Sequence, residues 1–322
     1  MKEIIPPVDT KLIEKELTAD KFLRSTNVGN NSIYIVTAHD SPNVMREIGR
    51  LREFTFREAG GGTGNEVDID EYDTAEIPFK QLIVWNNETK EIISSYRFIL
   101  GKDVPLNENG YPHTPTSKLF HFSNKFIENQ WQKTIELGRS FVQPKYQGTV
   151  NPRIGLFSLD NLWDAVGTLA VDYPDTKFFL GKMTMYDSYN RLARNLILIF
   201  LKKYFKGKKD LITPIHPAII DKRKNVFRSI FRNGSYKEDF KVLNDNIRDL
   251  KTSIPPLIKS YMSLSRKMKC FGASANPEFG PVEEIAILIK IKDINEDKKK
   301  RYIYSYKNGR KEKRRRQKAE KD

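Results

Sequence analysis

Apolar side chains recur along this chain of 322 residues with two different periods. Four segments place them three or four positions apart, as on one face of an α-helix, and predict helices over 43–58, 156–172, 187–206 and from 254 onwards. The glycine cluster at 60–62 ends the first helix, and the prolines that begin the last one are allowed in a first helical turn. The pattern therefore predicts four amphipathic helices separated by other structure.

Other segments carry runs of β-branched and aromatic residues, which predict strands over 32–37, 79–85, 91–100, 135–142, 177–184 and 283–291. The second and third of these flank a short loop and form a predicted hairpin. Residues 101–118 are expected to be a loop, 119–130 suits either helix or strand, and 207–250 is predicted to be a polar, basic insertion. Because strands and helices mix without strict alternation, we expect an α/β (α+β) fold with a mixed central sheet flanked by helices.

Charge is concentrated at the C-terminus. The chain has a net charge of +15, and residues 298–322 alone hold 13 Lys and Arg against 3 Asp and Glu. We therefore predict a folded domain over 1–297 and a basic, partly disordered tail over 298–322. The tail also suits an anionic membrane surface, where Tyr302, Tyr304 and Tyr306 would favour the interface. Nucleic acid is an unlikely partner, because the body lacks the clustered basic and aromatic residues of single-strand binders.

The composition excludes several classes of protein. A single cysteine, Cys270, rules out an internal disulfide. The longest aliphatic or aromatic run, Leu196–Leu201, is far shorter than the roughly 20 residues that span a bilayer, and the N-terminus lacks the apolar segment of a signal peptide. We expect a soluble, cytoplasmic protein that associates peripherally with the inner membrane face through its tail. The histidines lack metal-ligand spacing and no P-loop or dinucleotide motif occurs, so no metal or bound cofactor is expected.

Charged residues inside otherwise structural segments are the strongest chemical signal. An ionised group in a buried strand is costly unless it has a partner. The residues concerned are Arg52, on one face of the first helix with Phe56, then Asp70 and Asp73 in an acidic segment, Arg97 within one strand, and Glu136 and Arg139 within another. Three arginines and three acids on separate segments predict one shared, buried network.

These residues resemble a known family. The pattern Arg52-x-x-x-Phe56, Asp70-x-x-Asp73, Arg97 and Glu136-x-x-Arg139 is similar to that of acyl-homoserine-lactone synthases, acyltransferases related to the GNAT superfamily. The segments ELGRSFVQPKY, NLW, IPPLIKSYMSL and NPEFGPVEEIAIL resemble a sister branch, the hemolysin-like, acyl-carrier-protein-dependent N-acyltransferases. That branch includes enzymes that acylate ornithine or glycine on the way to aminolipids. The tryptophan that homoserine-lactone synthases carry after the Arg-Phe pair is absent here, which favours the sister branch.

The resemblance implies a GNAT-like fold and direct transfer of a long-chain (3-hydroxy)acyl group to the amine of glycine or ornithine. The donor it implies is an acyl-acyl-carrier-protein thioester or acyl-coenzyme A. The phosphate-binding loop is only partly present, which favours the carrier protein. By resemblance the catalytic residues are Glu136, Arg139, Asp73 and Arg97; the substrate-binding residues are Arg52, Phe56, Asp70 and Ser140; and the donor-binding residues are Val142, Gln147, Gly148 and Arg153.

Within this scheme Glu136 would hold the acceptor ammonium and take its proton. Arg97 and Arg139 would balance the acids and could bind an acceptor carboxylate, and Asp70 and Asp73 would orient the two arginines. Two alternatives stay open at this level. One is an autoinducer-type synthase that uses S-adenosylmethionine, and the other is a non-enzymatic basic protein that binds a membrane or nucleic acid through its tail.

Overall fold

The computed structural model describes residues 1–148, 150, 152–208, 210–219, 229–232 and 234–310, without the side chains of 152–154 and 156. The strands are β1 Phe22–Ser25, β2 Ser32–Val36, β3 Lys80–Asn86, β4 Glu91–Leu100, β5 Phe120–Phe122, β6 Thr134–Val142, β7 Phe178–Tyr186, β8 Ile212–Pro214, β9 Lys269–Ala275 and β10 Val282–Lys290. The α-helices are α1 Thr10–Glu16, α2 Pro42–Glu58, α3 Glu71–Thr74, α4 Asn124–Asn129, α5 Pro152–Asp172, α6 Arg191–Tyr204, α7 Tyr236–Asp249, α8 Pro256–Leu264 and α9 Glu296–Lys298.

Eight of these strands form one mixed sheet in the order β1-β2-β3-β4-β6-β7-β10-β9, and β5 pairs with β8 in a small second sheet. Only β6 and β7 are parallel among the described neighbours of the large sheet. Their pairing covers Thr134–Glu136 opposite Phe178–Leu180, whereas β6 pairs with β4 as far as Val142. The two parallel strands therefore separate after Glu136 and open the sheet at its centre.

The predicted mixed sheet with flanking helices is confirmed, and each predicted helix and strand is present within a few residues of its predicted bounds. The ambiguous segment 119–130 holds both a strand, β5, and a helix, α4. The segment 207–250 contributes β8 and α7, which pack on β5 and α6. The sequence pattern missed α1, β1 and β9. Of these, α1 and β1 are short and largely exposed, so their apolar pattern is weak.

The helices cover both faces of the sheet. Val44, Ile48 and Leu51 of α2 pack with Ile83 and Phe141 on one face, while α5 and α6 cover the other. Along β6 the side chain of Leu137 joins the α5 core but that of Phe141 joins the α2 core. Two residues four apart on a regular strand would share a face.

A β-bulge at Arg139 explains this exchange of faces. The pairing of β4 with β6 shifts between Ser95 and Arg97, and Arg139 has a φ of +49°, in the left-handed region that non-glycine residues rarely adopt. The extra residue moves the side chains that follow it to the opposite face of the sheet. The bulge lies three residues after Glu136, the last residue of β6 that pairs with β7. Both the backbone direction and the side-chain faces of β6 therefore change in this region.

The C-terminal segment corrects one prediction. Residues 298–310, expected to belong to a basic, partly disordered tail, are helical and continue α9 through a π-helical stretch, Lys299–Tyr304. Tyr302 and Tyr306 are buried against α5, where their hydroxyls donate to Asp160 at 2.6 Å and Asp172 at 3.1 Å. They therefore do not lie free for a membrane interface. Within this basic run, Tyr302 and Tyr306 lie about one helical turn apart and form a buried apolar face, which the charge count did not reveal.

The rest of that predicted tail, 311–322, lies outside the described residues. Among the residues that are described, no helix combines the length and the apolar character that a bilayer crossing requires.

Truncating a buried tyrosine of this segment should destabilise the whole domain. We expect Tyr302→Ala to lower the free energy of unfolding by about 3 kcal/mol, as for other buried aromatic side chains. Tyr304→Ala is the matched control, because Tyr304 is 38% exposed and its loss should cost less than about 0.5 kcal/mol. Urea unfolding measures both. Equal effects of the two changes would show that residues 299–306 do not pack on the body.

Candidate active site

Two fully buried arginines converge on one carboxylate beside the opening in the sheet. Arg52 of α2 donates from Nη1 to Asp73 Oδ2 at 2.9 Å and from Nη2 to Gln81 Oε1 at 2.7 Å. Arg97 of β4 donates to Asp73 Oδ2 at 3.0 Å and binds Asp70 bidentately, at 2.7 and 2.9 Å. Burial alone would raise the pKa of Asp70, but the charge and hydrogen bonds of Arg97 outweigh it and hold that pKa well below its ordinary value.

The spacing of the two aspartates has a local cause. Asp70 is the N-cap of α3 and accepts from the backbone N–H of Tyr72 and of Asp73, while Asp73 accepts from the backbone N–H of Asp70 at 3.2 Å. This capping box holds both carboxylates through hydrogen bonds within α3 itself, independently of the arginines. The same three-residue spacing therefore serves helix capping and arginine binding.

The third acid of the arginine network is Asp68, and not Glu136 as the sequence predicted. Arg139 forms an ion pair with Asp68, at 3.0 Å between Nε and Oδ2, and its Nη2 lies 3.7 Å from Asp70 Oδ2. The guanidinium also stacks over the ring of Phe279, 4.4 Å from its centroid. Asp68 is fully buried, and this burial raises its pKa against the lowering effect of Arg139, Arg52 and Arg97.

Glu136 lies apart from the arginines, at the last residue of β6 that pairs with β7. Its Oε1 accepts from the backbone N–H of Thr116 at 3.1 Å and from the Thr116 hydroxyl at 2.6 Å. Its Oε2 is buried and no described residue bonds to it. A buried carboxylate oxygen normally has a partner. One oxygen of Glu136 is thus fixed and the other is available to a molecule in the cavity.

A lysine on the neighbouring strand contacts the same threonine. Lys182 of β7 donates to the Thr116 hydroxyl at 3.1 Å, and its Nζ lies 3.6 Å from Glu284 Oε2. Asn276 donates to the other oxygen of Glu284 at 2.9 Å. A polar chain therefore runs from Glu136 across the gap between the diverging strands to β10.

Glu136, Lys182, Asn276 and Glu284 line a cavity of about 960 Å³, near the upper end of the size of small-molecule sites. The wall beside the diverging strands is polar, with Glu136, Arg139 and Lys182. The lining also includes apolar side chains, among them Phe56, Ile69, Phe79, Leu119, Phe141 and Phe279. A cavity with both kinds of wall suits a ligand that has a polar reacting end and an apolar chain.

The predicted donor-binding residues lie at the end of β6. Val142, Gln147 and Gly148 line the cavity, and Gln147 donates to the Val142 carbonyl at 2.8 Å. Gly148 lies so close to Gly155 of α5 that a Cβ there would be 2.0 Å from the Gly148 nitrogen. Only glycine fits at position 155. The backbone of Arg153 lies in the first turn of α5, and its side chain is outside the described residues.

The structure brings most of the predicted residues to this cavity but not all. Phe56, Asp70, Arg97, Glu136, Arg139 and Ser140 line it. Arg52 and Asp73 are fully buried behind the wall and contact only the network, so they can position other residues but not touch a ligand. Sequence reasoning missed Asp68, Thr116, Lys182 and Glu284. Lys182 carried a usable signal, a charge inside the apolar strand FFLGKMTMY, whereas Thr116 lies in a loop and carried none.

Comparisons with known proteins agree with one another. A family model described as "Acetyltransferase (GNAT) domain" matches residues 51–154. The glycine N(alpha)-acyltransferase of Bacteroides thetaiotaomicron is 54% identical over 306 residues, which cover 95% of this chain and 91% of the relative. That of Phocaeicola vulgatus is 51% identical over 306 residues, covering 95% and 94%. Among solved structures, FeeM, an N-acyl amino acid synthase from uncultured soil microbes, aligns over 83% of this chain and 94% of its own at 10% identity and a TM-score of 0.39.

Proposed function

Because the chain belongs to the GNAT acyltransferases, we propose that it transfers a long-chain acyl group from a thioester donor to the α-amine of glycine. The two relatives named glycine N(alpha)-acyltransferase are more than half identical to this chain over nearly its whole length. Membership of this enzyme family excludes the alternative that the chain is a non-enzymatic basic protein. The observation within the structure that carries the proposal is Glu136, a buried carboxylate in the cavity lining whose Oε1 bonds to Thr116 and whose Oε2 has no hydrogen-bond partner among the described residues.

The reaction needs a neutral amine and a place for its protons. The amine nitrogen attacks the thioester carbonyl carbon, a C–N bond forms, the C–S bond breaks, and the sulfur leaves as a thiol with the second proton that the nitrogen loses. Glu136 binds the ammonium form of the acceptor through Oε2 and takes the proton whose loss frees the nitrogen lone pair. The Thr116 backbone and hydroxyl fix Oε1, so the free oxygen has one orientation.

The diverging strands suit the acyl donor. Beyond Glu136 the side of β6 that would face β7 has no strand partner among the described residues. Peptide groups along such an edge can pair with the amide groups of a phosphopantetheine arm and can donate to a thioester oxygen as it becomes negative. The bulge at Arg139 changes the direction of this edge next to Glu136. The thioester carbonyl can thus lie beside both the edge and the base.

The remaining parts of the proposal concern the donor. The apolar wall of the cavity favours a long acyl chain over an acetyl group. Only part of a phosphate-binding loop follows β6, and this favours acyl carrier protein over coenzyme A as the carrier. The product, an acylated amino acid, would then be an intermediate or end product of aminolipid synthesis.

Assays of the purified protein with defined substrates test this function. The full-length chain is incubated with 3-hydroxyacyl-acyl-carrier protein or the matching acyl-coenzyme A, and with glycine, ornithine or S-adenosylmethionine. We expect N-acylglycine by mass spectrometry, with kcat/KM for the carrier-protein donor at least about tenfold above that for coenzyme A. Acylation of ornithine in preference to glycine, or product from S-adenosylmethionine alone, would overturn the acceptor assignment.

A further inference from the structure

An amino-acid acceptor carries a carboxylate as well as an amine, and a largely water-excluded site must offer that carboxylate a cation. The arginines expected to do so are already engaged. Both terminal nitrogens of Arg97 donate to Asp70 and Asp73. Arg139 is the ion-pair partner of Asp68, which is fully buried. Moving the Arg139 guanidinium to a substrate would leave the buried Asp68 carboxylate without its ion-pair partner, and moving that of Arg97 would break three hydrogen bonds to Asp70 and Asp73.

Lys182 shares a hydrogen-bond partner, Thr116, with Glu136, and part of its donor capacity is unused. Its ammonium group has three N–H donors. One goes to the Thr116 hydroxyl at 3.1 Å, and the ammonium also forms an ion pair with the buried Glu284, whose distance of 3.6 Å is too long for a hydrogen bond. The side chain is only 10% exposed and lines the cavity. Within the described residues, Lys182 is thus a buried cation in the cavity wall with N–H groups left for a ligand.

The strand that carries Lys182 places a second donor beside it. Lys182 and Thr184 are two apart on β7, and side chains two apart on a strand point to the same face. Both line the cavity. The described residues offer the Thr184 hydroxyl no hydrogen-bond partner. An ammonium and a hydroxyl side by side can each donate to one oxygen of a carboxylate.

We propose that Lys182, assisted by Thr184, binds the α-carboxylate of the acceptor amino acid, an inference that rests on the proposed function. Lys182 Nζ and Glu136 Oε1 bond to the same Thr116 hydroxyl, at 3.1 and 2.6 Å, so they lie within about 6 Å of each other. In an α-amino acid a single carbon separates the amine from the carboxylate. Such a molecule can therefore place its amine on Glu136 and its carboxylate on Lys182 at the same time.

Glycinamide tests the subsite, because it keeps the α-amine of glycine but has no carboxylate. We expect the full-length protein to prefer glycine to glycinamide by about 100-fold in kcat/KM, since a site built for a charged group rejects an analogue without it. Lys182→Met should lower this preference to less than about threefold, mainly by raising the KM for glycine. Lys290→Met is the matched control, because Lys290 lies on the adjacent strand β10 with its Nζ over the ring of Phe178, and not in the cavity wall. The preference of the Lys290→Met protein for glycine over glycinamide should equal that of the wild type.

Each other result has a definite meaning. If Lys182→Met slows glycine and glycinamide equally, Lys182 acts only by holding Thr116 and Glu136, and the carboxylate subsite is wrong. If the lysine variant does not fold, Thr184→Val, a volume-conserving change at a strand position, should still lower the preference about tenfold; an unchanged preference there also overturns the subsite. A wild-type protein that acylates both compounds equally overturns the subsite alone. One that acylates neither overturns the proposed function and the subsite with it.

Discussion

Glu136→Gln should leave the protein folded and lower kcat for acyl transfer by about 100-fold or more, the usual effect of removing a general base. The amide oxygen of glutamine can still accept from the Thr116 N–H and hydroxyl, which now hold Oε1. The group lost is the charged Oε2, which has no hydrogen-bond partner among the described residues. We therefore expect the change in the chemical step and not in the position of the side chain. Steady-state kinetics with saturating donor and acceptor measures it.

The matched control for this change is Glu47→Gln. Glu47 is also a buried carboxylate, but it lies on α2, pairs with Arg50 and does not line the cavity. Its replacement should leave kcat within about threefold of the wild type, as for substitutions away from the reacting atoms. Near-normal turnover by a Glu136→Gln protein with an unchanged unfolding midpoint would exclude Glu136 as the base.

Arg97→Ala and Asp73→Ala should each destabilise the domain by about 3–5 kcal/mol, because each removes a charged partner from a buried network. The double variant should cost far less than the two single costs together. We expect a coupling energy of about 2 kcal/mol or more, since the two side chains share one hydrogen bond of 3.0 Å and one network. Urea unfolding of the wild type, the two single variants and the double variant measures the coupling.

A surface pair provides the reference for this cycle. Lys125 and Asp210 are also 3.0 Å apart, but both are more than half exposed. Their coupling energy should stay below about 1 kcal/mol because water screens the pair. Single-variant costs for Arg97 and Asp73 that add in full in the double variant would mean that the two charges are stabilised separately and that the shared network does not exist.

The site could be predicted in part because ionised residues inside apolar strands stand out in a sequence. Glu136 and Arg97 were found in this way, and Lys182 carried the same signal. The sequence could not show which charges meet, because the pairing depends on how segments far apart in the chain pack. Asp68 took the place expected for Glu136 beside Arg139, and Thr116, from a loop without any charge pattern, became the contact that orients Glu136.

The hydrophobic periodicity of the sequence predicted most of the secondary structure, because a helix or strand that buries one face has apolar residues at regular spacing within its own segment. The spacing of Asp70 and Asp73 likewise determined a capping box, because a cap is formed within one turn. The basic residues over 298–310 led the same reasoning to a wrong prediction, because a basic helix can still bury one apolar face.

Three features were decided only by the tertiary structure: the separation of β6 from β7 after Glu136, the bulge at Arg139 and the meeting of Glu136 with Lys182 across Thr116. Each depends on strand pairing between segments distant in sequence. The energy of such pairing belongs to the packed sheet and leaves no periodic pattern in either segment alone.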